Sequence, residues 1–360
     1  MKVRRRVLIV VPQLVAGGSE KVLITIAGNL DRERFEVHLA VLGEAKQSEH
    51  AAVAPHVTIH ELGLKHARYA GLGLLRLIWK LRPQTVLAAG GPAGVLATLV
   101  AKVAPRGMQV SLRQGTMPGA CAARQKRWER RAFAWSQRHA DRVICQSNAM
   151  AGDVLCTSRV KSKNVLVVYN PVARAQANVV TTTSQFAAPN FLAVGRLSPE
   201  KRFDLVIRAF AILKREHCAS ATLTILGDGP CRRSLADLAC SKAVEESVRF
   251  AGYQQAPTPW MRDSYALVMA SEFEGLPNVV LEAISVGVPV VAIDCPGGIR
   301  EIAETAPNVR LIEEETPAAL ARAIVETIAS PPRRDLPGAA FWERFSLESV
   351  ITQYERILSQ

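Results

Sequence analysis

The sequence predicts an α/β protein built from two Rossmann-like domains with a cleft between them. The first observation behind this is length: 360 residues exceed the roughly 100 to 200 usual for one domain, and a hydrophobic share of 49% is enough for two cores. The second is a series of short β-branched runs, most of them separated by helix-length segments. That is the pattern of a parallel sheet with helices on its faces. The third is that the pattern occurs twice, on either side of a polar, strandless stretch at 174–189.

The elements follow in order. In the first domain, residues 1–173, the runs are VLIVV (7–11), VHLAVL (37–42), VTIHEL (57–62), TVLAA (85–89), QVSL (109–112), RVICQ (142–146) and VLVVY (165–169). The basic start before Val7 imitates a secretion signal, but Pro12 cuts the apolar run too early for one. Residues 83–101 carry no charge for nineteen positions, close to the roughly 20 that span a bilayer. Gly90, Gly91 and Pro92 interrupt them where a strand turns into a helix, so a soluble strand and helix are expected. Residues 174–189 read as the linker. The second domain, 190–345, offers NFLAVG (190–195), TLTILG (222–227), VRFAGY (248–253), ALVMAS (266–271), VPVVAID (288–294) and VRLIE (309–313). Residues 346–360 read as a C-terminal helix returning to the first domain. Ligands of such sheets sit at the carboxyl ends of the strands.

Cys121, Cys145, Cys156, Cys218, Cys231, Cys240 and Cys295 are far apart with no C-x-x-C pair. They read as reduced, mostly buried thiols of a cytosolic protein. Charge is uneven: residues 1–180 hold 27 Lys and Arg against 10 Asp and Glu, whereas residues 181–360 hold 18 against 22. The two halves are expected to meet different partners.

Unusual residues fall at the strand ends. RLSPEKRFD (196–204) follows the strand ending at Gly195. Ser198 suits an N-cap and Pro199 the first helical position, which places Lys201 in a first turn, where the dipole disfavours a cation. An anion held by Arg196 and Lys201 at the helix N-terminus would reverse that penalty; a solvated basic turn is the alternative. EFEGLPNVVLEA (272–283) repeats the logic. Gly275 permits close approach of the backbone, Pro277 starts a helix, Glu274 stands at its lip, and Glu282 is an acid amid apolar neighbours that needs a partner. Two acids beside an N–H cradle suit a ligand that is part phosphate and part polyol, such as a nucleotide sugar.

The chain resembles the GT-B, family-4 type of retaining glycosyltransferases along nearly its whole length. AGGSEK (16–21), YNP (169–171), VGRLSPEK (194–201), LGDGP (226–230), FAGY (250–253), EGLPNVVLE (274–282) and CPGGIRE (295–301) carry the resemblance. It implies that Arg196 and Lys201 hold the donor diphosphate as leaving group and that Glu274 contacts the hydroxyls of the donor sugar. It implies further that Glu282 binds the ribose, with Gly275 and the backbone around Leu276, Pro277, Asn278 and Val279 bordering the phosphates. Gly252 and Tyr253 would recognise the base, and Gly17 and Gly18 would let their loop approach the diphosphate. No cofactor or metal is expected, the donor being a co-substrate, with a leaning toward UDP. The resemblance also implies retention of anomeric configuration by front-face attack, in which positioning and charge stabilisation would dominate.

One departure stands out. Many relatives carry a His after the fifth strand of the first domain, whereas SLRQGTMPG (111–119) has none. Arg113, Gln114 and Thr116 are the candidates to contact the sugar in its place; pairing of Arg113 with a neighbouring acid is the alternative. The acceptor is inferred from the basic half. CAARQKRWERRAFAWSQRHA (121–140) suits a helix lying at an anionic inner leaflet, or a helix packed on the core with its aromatics inward and its arginines solvated. A lipid-linked saccharide on the cytoplasmic leaflet, in the synthesis of lipopolysaccharide or another polysaccharide, meets the charge. A soluble acceptor and a nucleotide-sugar epimerase are the alternatives. A nucleic-acid-binding protein leaves Glu274 and Glu282 unexplained, and a dinucleotide oxidoreductase lacks its G-x-G-x-x-G.

Overall fold

The computed structural model describes residues 4–14, 17–43, 53–63, 67–104, 107–174, 188–330 and 334–360. Most of the expected linker, and Ala16 of the AGGSEK stretch, lie outside the described residues. The chain divides into two compact units, Met1–Pro171 with Glu348–Gln360, and Val172–Leu347.

The first unit begins with β1 (Arg5–Val11), α1 (Gly18–Asn29), β2 (Phe35–Val41), β3 (Thr58–Glu61), α2 (Ala67–Leu81) and β4 (Thr85–Ala89). It continues with α3 (Pro92–Ala101), β5 (Gln109–Arg113), α4 (Arg127–His139), β6 (Arg142–Cys145), α5 (Asn148–Ser158) and β7 (Val165–Val167). Its sheet has the order β3-β2-β1-β4-β5-β6-β7, with every pair parallel. Val7 to Val11 are completely buried because helices cover both faces, which is why β1 reads as an unbroken apolar run rather than an alternating one. Reversal of strand order at β1 sends successive right-handed crossovers to opposite faces. Accordingly α2, α3 and α4 form one layer, with α3 touching both neighbours.

The second unit contains β8 (Asn190–Val194), α6 (Phe203–Glu216), β9 (Thr222–Leu226), α7 (Arg232–Ser241), β10 (Val248–Gly252), α8 (Thr258–Arg262) and β11 (Ala266–Met269). After them come α9 (Asn278–Ser285), β12 (Val290–Ile293), α10 (Ile299–Ala303), β13 (Val309–Ile312), α11 (Pro317–Ala329) and α12 (Ala339–Phe345). Its sheet, β10-β9-β8-β11-β12-β13, repeats the topology of the first with all pairs parallel. Its core joins Phe191, Phe203, Phe210, Ile225 and Ile293 with Leu320 and Ile324 of α11.

The last helix, α13 (Leu347–Ser359), packs on the first unit. Arg142 Nη1 donates to Ile357 O at 2.8 Å and Arg34 pairs with Glu355 at 2.7 Å. Tyr354 is fully buried.

All thirteen expected runs are strands. Two expectations are corrected. The basic segment at 121–140 is helical only from Arg127, after a short 3-10 turn at Ala122–Arg124, and its aromatics divide: Trp128 is exposed, Phe133 and Trp135 half-buried. The cysteines are all free thiols, but only Cys145 and Cys295 are buried, and Cys156 and Cys240 are exposed. Among the described residues no helix is long and apolar enough to cross a membrane, and 83–101 forms β4 and α3 as expected.

Candidate active site

The site is assembled from loops that leave the carboxyl ends of β8, β11 and β12. After β8 the chain turns through Gly195, Arg196 and Leu197. Leu197 is completely buried and anchors the turn, which leaves the Arg196 side chain exposed. Gly227 supports the turn from beneath: a Cβ there would stand 1.8 Å from the Gly195 carbonyl oxygen, at a φ of +134°. Only glycine fits so close a backbone approach, which gives the LGDGP stretch its physical meaning. Gly227 N also donates to Gly252 O at 2.7 Å, so the Arg196 turn and the Gly252–Tyr253 loop share one support. Tyr253 is 55% exposed.

Lys201 does not sit in the first turn of a long helix. Pro199–Lys201 form a single 3-10 turn, Arg202 adopts a left-handed conformation, and α6 begins only at Phe203. Ser198 makes no side-chain cap; its Oγ donates to Glu200 at 2.6 Å. The dipole argument for an anion therefore lapses, and a direct contact replaces it. Lys201 Nζ reaches Glu274 Oε1 at 2.5 Å, with side-chain exposures of 26% and 12%.

Glu274 is held from three directions. Ser271 Oγ donates to the same Oε1 at 2.7 Å. Its backbone forms a parallel bridge to Gly297, in which Glu274 N donates to Pro296 O at 3.0 Å and Gly298 N to Gly275 O at 3.1 Å. A Cβ on Gly297, whose φ is +131°, would lie 1.5 Å from the Glu274 carbonyl oxygen, so the CPGG stretch is glycine there by necessity. Glu272 N donates to Glu200 O at 2.8 Å, lacing the β8 and β11 loops together. Beside them the Cys295 thiol is pushed up to about 12, first by burial and then by the Glu274 carboxylate. It is a neutral neighbour of the Lys201–Glu274 pair.

Gly275, Leu276 and Pro277 are buried, and Asn278 and Val279 half-buried. Pro277 caps α9 rather than starting it: its backbone is extended and Asn278 is the first helical residue. Glu282 is half-buried on that helix, and its carbonyl accepts from Ser285 Oγ at 2.7 Å.

In the first unit Gly17 caps α1 and Gly18 opens it, with Gly17 O accepting from Lys21 N at 3.0 Å. The loop after β5 is corrected. Arg113 is completely buried; its Nη2 donates to Asn170 Oδ1 at 2.6 Å and its Nη1 to Ser19 Oγ at 3.1 Å. It knits β5 to α1 and to the segment after β7, and is sealed from any sugar. Gln114 is also buried and bonded to Gln137 at 2.8 Å, while Thr116 is exposed.

The structure thus brings Lys201 and Glu274 into contact and joins the Arg196 turn to the Gly252 loop. Sequence reasoning missed Ser271 and Gly297 as partners of Glu274. The former ends the ALVMAS run and the latter lies in the CPGGIRE stretch, but neither position signals its contact. The pair offers a cation and a carboxylate in a partly desolvated setting, where charges act more strongly than in water.

Residues 16–176 match the family model described as Glycosyltransferase Family 4, and residues 188–330 match the one described as Glycosyl transferases group 1. This chain belongs to the family-4, group 1 glycosyltransferases and has their GT-B fold of two Rossmann-like domains. An uncharacterized glycosyltransferase of Methanocaldococcus jannaschii is 37% identical over 31% of this chain and 27% of its own length. One of Haemophilus influenzae is 23% identical over 95% and 96%. The N-acetylgalactosamine-N,N'-diacetylbacillosaminyl-diphospho-undecaprenol 4-alpha-N-acetylgalactosaminyltransferase of Campylobacter jejuni is 29% identical over 45% of this chain and 44% of its own. The chain thus spans less than half of two of these relatives. Among solved structures, Anabaena HepE in complex with UDP and glucose has a TM-score of 0.83 at 19% identity, covering 99% of this chain and 100% of that one. At that identity the likeness is one of fold.

Proposed function

We propose that this glycosyltransferase is a retaining hexosyltransferase that moves a sugar from a UDP-linked donor to a lipid-linked saccharide or other cell-surface glycan precursor, at the cytoplasmic face of a membrane. The observation that carries the reading is the Lys201–Glu274 contact, fixed by Ser271 and by the glycine under Glu274. Lys201 and the exposed Arg196 hold the donor diphosphate and stabilise the charge it gains as the glycosidic bond breaks. Both described bonds of the Glu274 carboxylate go to Oε1, so Oε2 is assigned to a hydroxyl of the donor sugar. Glu282 is assigned to the ribose, the backbone from Gly275 to Val279 to the phosphates, Gly252 and Tyr253 to the base, and Gly17 and Gly18 to the diphosphate. The acceptor hydroxyl attacks from the face the diphosphate leaves, and a donor phosphate oxygen takes its proton. Two cations serve the leaving group in this scheme, which therefore needs no metal.

The leaning toward UDP is supported by the UDP in the Anabaena complex, and the lipid-linked acceptor by the diphospho-undecaprenol substrate in the Campylobacter enzyme's name. The test is a panel of nucleotide sugars offered with undecaprenyl-diphosphate saccharides, with and without EDTA, and product anomers read by NMR. Transfer with a retained anomer in EDTA is expected. An inverted anomer would overturn retention, and loss of turnover restored by a divalent ion would overturn metal independence. Transfer only to soluble glycans, or donor epimerisation without acceptor, would put one of the alternative activities in its place.

A further inference from the structure

Residues 62–128 contain eleven Lys and Arg and no Asp or Glu, although 32 acids in 360 residues would put about six in such a stretch. This acid-free run supplies α2, α3 and the approach to α4, the layer on one face of the first sheet. Gly71 of α2 lies against Leu96 of α3, and Gly91, which caps α3, lies near Phe133 of α4. The helices are close neighbours in one layer, with their outer side turned away from the sheet.

That outer side is amphipathic. Leu72, Arg76, Trp79 and Lys80 recur along α2 at the spacing of one helical stripe, and all four are exposed. The end of α3 adds Leu99, Lys102 and Val103, and the start of α4 adds Arg127, Trp128 and Arg131, again all exposed. Among the described residues seven large hydrophobics are exposed, and five of them are here: Leu72 63%, Trp79 50%, Leu99 50%, Val103 60% and Trp128 65%. The first acid after the run, Glu129, is turned back on its own helix, accepting from Lys126 N at 2.9 Å.

We propose that the α2–α3–α4 face docks on an anionic lipid bilayer, with Trp79 and Trp128 at headgroup depth and the lysines and arginines against lipid phosphates. Trp is favoured at that depth because its ring is apolar and its N–H finds water, and basic side chains add attraction that salt screens. A polyanion alone accounts for the cations but not for three exposed aliphatic side chains and two tryptophans among them; a bilayer accounts for both. The inference rests on the proposed lipid-linked acceptor only for its purpose, and its test separates the two.

The test measures full-chain binding to vesicles of phosphatidylcholine with 0 or 30 mol% phosphatidylglycerol, at low and high salt. Binding should rise at least tenfold with the anionic lipid and fall with salt. Replacing Arg76, Lys80, Lys102 and Arg127 together by Gln should remove most of that gain. The Trp79→Phe, Trp128→Phe double variant should lose most of the fluorescence quenching by lipids brominated on the acyl chains. Thermal melts and UDP binding, which these surface changes leave unaltered, verify folding. Equal binding to both vesicles, or quenching unchanged in the double variant, would overturn the docking face. Turnover of a detergent-dispersed lipid-linked acceptor would leave the transferase reading intact in that event, whereas vesicle binding without such turnover would sink the acceptor and keep the face. Retention on nucleic acid that the Gln variant abolishes, with vesicles ignored, would replace the bilayer by a polyanion.

Discussion

Glu274 takes two donors on one carboxylate oxygen, Lys201 at 2.5 Å and Ser271 at 2.7 Å. Lys201 neutralises the carboxylate now and is assigned to the diphosphate, so removing either partner disturbs both. Lys201→Ala should cost about 2 to 4 kcal/mol of transition-state stabilisation, the scale of one preorganised electrostatic donor. It should appear in kcat/KM for the UDP-sugar. Glu274→Gln keeps the shape but not the charge, and should lower kcat more than donor affinity, as expected of an interaction that matters most in the transition state. Unchanged kinetics in both variants would place the chemistry elsewhere. Arg113 teaches the opposite lesson at this scale. A cation in the corner where relatives keep a His looked available for substrate, yet it is completely buried and bonded to Ser19 and Asn170.

Loops and strands set where those residues stand. Because a Cβ on Gly297 would overlap the Glu274 carbonyl oxygen, Gly297→Ala should push the Glu274 loop away from the β12 end. Turnover should then fall as in the Glu274 variant, although no carboxylate is lost. Normal activity in this variant, with a normal melting temperature, would show the bridge to be dispensable. A second element-scale effect lies on β2 and β3, where His38 Nδ1 and His60 Nε2 are 3.1 Å apart. Burial, then His38 and Lys80, hold His60 below its usual 6.5. The unfolded chain therefore binds that proton more readily than the folded one. The contribution to stability is complete above pH 6.5 and is lost as the pH falls from there toward the lower folded value. In His60→Gln the decline of the urea midpoint below pH 6.5 should be shallower than in the unaltered protein; an equal slope would exclude His60 as its source.

At the scale of the molecule, the end of the chain belongs with its beginning: α13 packs on the first unit, with Tyr354 fully buried. Tyr354→Ala should cost about 3 to 5 kcal/mol, the range for deleting a large buried aromatic, measured by urea denaturation. A loss under 1 kcal/mol would mean that α13 is a loose appendage. The thiols give an independent check on both cores. Burial pushes Cys145 and Cys295 up to about 12, whereas Cys156 and Cys240 are exposed. Ellman titration at pH 8 should find the exposed pair reacting fast and the buried pair only on unfolding, since the thiolate is the reactive form. Charge is the third molecular property. The surplus of the first 180 residues is concentrated in the acid-free run that becomes the α2–α3–α4 layer.

Much of this was legible in the sequence, and the reason is local. A strand buried on both faces must be a short apolar run, so the central strands could be read directly; the partly exposed edge strands β3, β7 and β13 showed only by their β-branched residues, and the repeat of one topology in two halves followed from the series. The EGLPNVVLE stretch marked Glu274 and Glu282 because an acid amid apolar neighbours needs a partner. What the tertiary structure alone decided are contacts between residues far apart in the chain. Lys201 and Glu274 are 73 positions apart and meet because β8 and β11 are neighbours in the sheet. The 3-10 turn that aims Lys201, the bridge that makes Gly297 obligatory, the burial of Arg113 and the placing of α2, α3 and α4 side by side in one layer likewise depend on strand order and helix packing. Hydrophobic periodicity encodes which face of an element is buried. It does not encode which element lies opposite.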